Sequence, residues 1–151
     1  MRVSEICREG VVSIRDDQSV LEAARKMRRY HVGDLIVTDH REAHAVPVGI
    51  LTDRDIVVGV VAMEITDLAQ LSVSDVLSGD TLITATYDDD VDDAIRNMQE
   101  HGVRRLPVLD ERGVLMGIFT LDDAVRHLSE QLAGLASVVA TQQAMEHANR
   151  P

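Results

Sequence analysis

An internal repeat limits the fold of this chain more than any other feature. The stretch Gly49-Ile50-Leu51-Thr52-Asp53-Arg54-Asp55-Ile56 returns as Gly117-Ile118-Phe119-Thr120-Leu121-Asp122-Asp123-Ala124. Each copy reads as a short apolar strand running into a helix, with Thr and Asp three residues apart at the junction. The likeness extends upstream. Val3-Ser4-Glu5-Ile6 matches Val73-Ser74-Asp75-Val76, and Val12-Ser13-Ile14 answers Ile83-Thr84-Ala85. The offset of 71 between Met27 and Met98 falls to 68 between Gly49 and Gly117, so the first copy carries three extra residues around His40 to Val46. Self-similarity on this scale predicts two copies of one supersecondary unit that cover each other's apolar faces. A unit of about sixty residues buries too little surface alone.

Each copy has the same order of elements. Ser19 with Glu22, and Asp90 with Asp93, predict helix N-termini: a capping box in the first copy and its acidic analogue in the second. Val20, Ala23, Ala24 and Met27, then Val91, Ala94, Ile95 and Met98, have the spacing of an amphipathic helix. A turn follows (Tyr30-His31-Val32-Gly33, or His101-Gly102-Val103-Arg104). Two strands and a second helix, starting at Thr52 or Thr120, complete the unit. The expected class is mixed α+β, with two β-α-β-β-α units and a long C-terminal helix. The boundaries are residues 1–66 for the first repeat, 67–132 for the second, and 133–151 for a helical extension with a frayed tail.

Composition narrows the chemistry. Apolar residues are 45% of the 151, yet aromatics are only 2%, so the core is aliphatic and stacking platforms are scarce. A net charge of −11 repels a phosphate backbone and disfavours nucleic acid. No run approaches transmembrane length, which predicts a soluble, cytoplasmic protein without a membrane partner. The single cysteine, Cys7, excludes an intrachain disulfide and aligns with the apolar Leu77, so it is expected buried and inert. No Walker loop, Gly-x-Ser-x-Gly or Gly-x-Gly-x-x-Gly occurs, and no enzyme is predicted. Asp39, His40, Glu42 and His44 read as a polar hairpin loop rather than a metal site. The acidic run Asp88-Asp89-Asp90-Asp92-Asp93 reads as favourable charge at a helix N-terminus.

Leu121, Val125, Leu128, Leu132, Leu135 and Val139 alternate spacings of four and three, an a/d stripe. It fits either one long helix packed on its own domain or a dimer seam. The seam is favoured, since Gly134 weakens the middle of the helix.

Tandem units that each end in Gly-apolar-apolar-Thr-x-x-Asp resemble the CBS domain pair, or Bateman module, named after cystathionine β-synthase. The resemblance spans about Val3 to His127. It is carried by Val32-Gly33-Asp34-Leu35-Ile36-Val37, by Val48-Gly49-Ile50-Leu51-Thr52-Asp53-Arg54-Asp55, and by His101-Gly102-Val103-Arg104-Arg105-Leu106-Pro107-Val108. It is most similar to the small stand-alone bacterial members. The resemblance implies a pseudo-twofold module with two clefts, a ligand such as AMP, ADP, ATP, NAD or S-adenosylmethionine, and a homodimer. It implies ribose contacts for Asp55 and Asp123, and places Thr52 and Thr120 near phosphate. It implies base contacts from Ser13, Ile14, Val32, Gly33 and Asp34 in one copy, and from Thr84, Ala85, Val103, Arg104 and Arg105 in the other.

The physics of the junctions supports an anion-binding role independently. A helix N-terminus presents free N–H groups and a positive dipole end. Arg54, Arg104 and Arg105 are the candidate phosphate partners. Asp53-Arg54 becomes Leu121-Asp122 in the second copy, so the Thr52/Asp55 side is expected to be the better anion site. No cofactor is required in this reading; an adenine nucleotide is a regulatory ligand, and an unidentified downstream protein responds. The bland alternative is that Thr-x-x-Asp merely caps a helix, leaving a ligand-free dimeric interaction module.

Overall fold

The computed structural model describes residues 1–149. Its strands form two three-stranded sheets, one per copy. In the first, β1 (Ser13–Arg15) runs parallel to β2 (Asp34–Thr38), which pairs antiparallel with β3 (Pro47–Thr52). The second repeats this order with β4 (Ala85–Thr86), β5 (Arg105–Leu109) and β6 (Leu115–Thr120). The registers are equivalent: Asp34 faces Thr52, and Arg105 faces Thr120. The turn before each middle strand therefore lies beside the strand–helix junction of its own copy.

Helix α1 (Val20–Tyr30) and helix α4 (Val91–His101) bury Val20, Ala23 and Met27, and Val91, Ala94 and Met98. Both end on a left-handed residue, His31 at φ 53° and Gly102 at φ 64°, a usual helix stop. Their N-caps differ from the expectation. Ser19 accepts the Glu22 N–H without a return bond, and Asp90 accepts from Asp92 rather than Asp93. Asp93 pairs instead with Arg96 at 2.6 Å. Full reciprocal boxes form at Thr52–Asp55, at Thr120–Asp123, and at Ser72–Asp75 of the short helix α3 (Val73–Val76).

Helix α2 (Asp53–Ile56) widens into a π turn over Val57–Val61. Its counterpart α5 (Leu121–Ala148) runs 28 residues, about 42 Å at 1.5 Å per residue. No helix among the described residues is long and apolar enough to cross a membrane.

The segment that opens each copy packs on the other copy. Val3 is fully buried in the core of β4, β5, β6 and α4, with Ile6 and Cys7 beside it. Burying one aliphatic side chain contributes roughly 1.5–3 kcal/mol, so this crossing is a real anchor. Val73, Leu71, Val76 and Leu77 pack on the first core in the same way. Backbone bonds fix both crossings: Val3 N–H to Asp89 O at 2.8 Å, and Val73 N–H to Gln18 O at 2.8 Å. The extra residues of the first copy also reach across, where Ala45 O accepts from Leu115 N–H at 2.8 Å.

Candidate functional site

Two clefts open between the copies. One, of about 410 Å³, is walled by residues 8–12, by Val32-Gly33-Asp34, by Arg104 and Arg105, and by Ile118 and Thr120 to Asp122 of the β6–α5 junction. The other, of about 340 Å³, is walled by Leu77, Ser78 and residues 80–83, by Val103 to Arg105, and by Gly49, Ile50 and Thr52. Each thus joins the entry segment and turn of one copy to the strand–helix junction of the other. The crossing segments cause this exchange.

The candidate residues divide accordingly. Val32, Gly33, Asp34 and Thr120 meet in the first cleft, Thr52 and Val103 in the second, and Arg104 and Arg105 touch both. Asp34 and Arg105 form an ion pair at 2.9 Å that links the copies between the clefts. Ser13, Ile14, Thr84 and Ala85 do not line them. Ile14 and Ala85 are core residues at 1% and 2% exposure. The Ser13 carbonyl accepts from Lys26 Nζ, and the Thr84 carbonyl from Asn97 Nδ2. The wall lies one or two residues upstream, at Val11-Val12 and Leu82-Ile83, because the strands turn into the sheet after those positions. Arg54 is exposed on α2 and lines neither cleft, and Asp55 and Asp123 lie behind the walls, bonded to the lining residues Thr52 and Thr120, rather than in them.

Both junctions hold their Thr and Asp in reciprocal capping bonds. Asp55 Oδ2 accepts the Thr52 N–H at 2.8 Å, and Thr52 Oγ1 accepts the Asp55 N–H at 3.1 Å. Asp123 makes the same bonds with Thr120, at 3.1 and 3.3 Å. The environments then diverge. Asp123 is fully buried and is also held by Arg8 and Arg126. Burial raises its pKa, but the Thr120 hydroxyl, Arg8 and the Thr120 amide outweigh burial and hold the carboxyl below its usual range. Asp55 is half-buried and has no cation partner among the described residues.

Asp122, already read as an anion near the second junction, lines the first cleft. Arg8, Glu9, Leu77 and Ser78 escaped the sequence reading as cleft residues. One signal pointed to them: Cys7 and Leu77 occupy matching positions, and each lies against the glycine of a third strand, Gly117 or Gly49. Cys7 is half-buried, and burial pushes its thiol pKa up. Asp16, Asp39 and His40 bring potential ligand atoms within 4.8 Å of one another, while Glu42 and His44 lie outside that group. Arg41 grips both oxygens of Asp39 at 2.9 and 2.7 Å, and this fork satisfies the carboxylate within the loop.

A family model described as CBS domain matches residues 3–61 and 73–130. The chain belongs to the CBS-domain family. The two matches coincide with the two copies and cover most of the chain. The CBS domain-containing protein YhcV of Bacillus subtilis is 35% identical over 127 residues, 83% of this chain and 85% of that protein. A Methanopyrus kandleri protein is 32% identical over 124 residues, 82% of this chain but only 61% of the relative, so this CBS pair spans about three fifths of it. Among solved structures, a Pyrobaculum aerophilum CBS domain protein complexed with AMP superposes with a TM-score of 0.70 at 26% identity, covering 82% of this chain and 89% of that one. Residues 131–148 of α5 extend beyond the second match.

Proposed function

We propose that this CBS pair is a non-catalytic regulatory module that binds an adenosine-containing ligand in the Thr52 cleft. The observation that carries the choice of cleft is the carboxylate of Asp55, which is bonded to the cleft residue Thr52 from behind the wall and, unlike Asp123, has no cation partner among the described residues. Its Oδ2 takes one capping bond, and Oδ1 has no protein partner among the described residues. An ionised carboxylate is acceptor-only and suits the two hydroxyls of a ribose. Thr52 lines the cleft at the start of α2. Arg104 brings positive charge, Arg105 is shared with Asp34, and Ser78 and Thr81 supply hydroxyls. Ile50, Leu82, Ile83 and Val103 form an aliphatic slot for a base. The Pyrobaculum relative, complexed with AMP, supports the ligand class.

A thermal-shift series with AMP, ADP, ATP, NAD and S-adenosylmethionine tests this. Ligand at about a hundredfold above its Kd stabilises by about 2.7 kcal/mol, a visible rise in Tm. Asp55→Asn keeps a capping oxygen but removes the charge, and is expected to abolish the rise. No shift with any of the five discards the ligand and leaves the interaction module.

The module works as a homodimer through α5 in this reading. Every residue from 128 to 149 is exposed, yet Leu128, Leu132, Leu135 and Val139 continue one apolar stripe at 48–67% exposure. A helix this apolar, standing clear of its own domain, gains stability by burying that stripe. A second copy offers the matching heptad seam. Light scattering is expected to give a dimer for the wild type and a monomer for the double variant Leu132→Glu, Leu135→Glu. A monomeric wild type overturns the assignment. The ligand acts on a downstream partner through its differential affinity for two states of the module.

A further inference from the structure

The two junctions share their Thr-x-x-Asp chemistry, but their carboxylates are not equally available. Asp123 Oδ1 accepts from Arg8 Nε at 2.9 Å and from Arg126 Nη2 at 2.8 Å. Its Oδ2 accepts from the Thr120 N–H at 3.1 Å and the Thr120 hydroxyl at 2.6 Å. A carboxylate offers about four lone-pair sites, and all are taken. Asp123 is 0% exposed in this state.

Arg8 is placed there by its backbone. Its N–H donates to Ile118 O at 2.9 Å, and its carbonyl accepts from Ile118 N–H at 3.0 Å. The side chain then crosses into the first cleft, which it helps to wall. The second cleft lacks this device. With Cys7 matching Leu77, Arg8 matches Ser78; with Gly117 matching Gly49, Arg126 matches Val58. Neither Ser78 nor Val58 carries a charge, so both cations around Asp123 are missing around Asp55.

We propose that Arg8 is the residue that makes the clefts unequal: it is an internal occupant of the Asp123 subsite and closes the Thr120 cleft to a ligand's vicinal diol. The guanidinium supplies Asp123 with the donor that a ribose hydroxyl would otherwise provide. This chain therefore takes one nucleoside-type ligand, in the Thr52 cleft. The inference rests on the adenosine-ligand reading above.

Isothermal titration calorimetry of the full chain with AMP tests it, using wild type, Asp55→Asn, Arg8→Ser, and Arg8→Ser with Asp123→Asn. The expected result is one AMP per wild-type chain and none in Asp55→Asn. Arg8→Ser, which installs the residue of the other cleft, is expected to take two. The double variant is expected to return to one. Arg8→Gln, neutral but with a similar stem, replaces Arg8→Ser if circular dichroism shows that variant unfolded. Two sites in the wild type, or a single site retained in a folded Arg8 variant, overturns the role of Arg8 and leaves the adenosine reading standing. Absence of AMP binding by wild type and Arg8 variants alike overturns the role of Arg8 and leaves the adenosine reading to the five-ligand thermal-shift series.

Discussion

Asp123→Ala is expected to destabilise the protein by about 2–4 kcal/mol, the combined effect of a lost helix cap and of a cation pair deprived of its buried anion. The side chain is fully buried, while Arg8 and Arg126 are 56% and 53% exposed. Those cations rehydrate in the variant, which keeps the cost toward the lower end for a broken buried pair. Asp55→Ala removes only a cap and is expected to cost about 1 kcal/mol. Urea denaturation of both variants checks the contrast, with the slope m unchanged. Equal costs would mean that the Arg8–Asp123–Arg126 cluster contributes nothing beyond the cap.

The same group gives the stability a pH dependence of definite sign. The folded pKa of Asp123 lies below its ordinary value, so the unfolded chain binds the proton more readily. Its contribution is present in full above the unfolded carboxylate pKa of about 4, and it is lost as pH falls through the lower folded value. Asp123→Ala is therefore expected to flatten the acid limb of a stability–pH profile in that range. A limb unchanged by the substitution would assign acid denaturation to the other carboxylates.

Gly117→Ala is expected to cost about 2–3 kcal/mol, as an insertion into a fully packed contact. A Cβ at this position meets the Arg8 carbonyl oxygen at 2.7 Å. That oxygen cannot step aside without giving up its bond from Ile118 N–H. Gly49→Ala is the internal control. Its Cβ meets the tips of Leu77 at 3.0 and 3.2 Å, and a leucine side chain yields where backbone does not. About 1 kcal/mol or less is expected there. Gly117→Ala should also speed amide exchange at Val3 and Cys7, whose N–H groups are bonded in the crossing segment. Equal midpoint shifts for the two glycine variants would show that the crossing strand is free to move.

The sequence carried the periodic elements because their signals are local. Val20, Ala23 and Met27 lie on the buried face of α1, as their spacing predicts, and the equivalent trio does so in α4. The strands from Asp34 and Arg105 were legible as short apolar runs. The capping residues were legible in type but less so in partner. Asp90 accepts from the Asp92 N–H at 2.9 Å, and the Asp93 carboxylate pairs with Arg96 one turn on, a cation within reach that a return bond to the N-cap competes with.

The candidate site was legible in part for a similar reason. The Thr-x-x-Asp junctions announce themselves within four residues. The cleft walls at Arg8 to Val12 and at Leu77 to Ile83 do not, since their membership depends on where distant segments pass. Ser13 and Thr84 missed the clefts by a residue or two, because where a strand leaves the sheet is set by its neighbours rather than by its own sequence.

By itself, the sequence determined that this chain is two copies of one β-α-β-β-α unit with an aliphatic core, matched junctions and an apolar stripe beyond the second copy. Repeats, periods and caps are properties of adjacent residues. Tertiary structure alone decided that each copy's opening segment crosses to the other, so that each cleft is built from both copies. It alone placed Arg8 on Asp123, 115 residues away, and left Asp55 free. Burial and ion pairing are set by which surfaces meet, and two matching Asp residues acquire different chemistry only when the fold surrounds one with cations and leaves the other without one among the described residues.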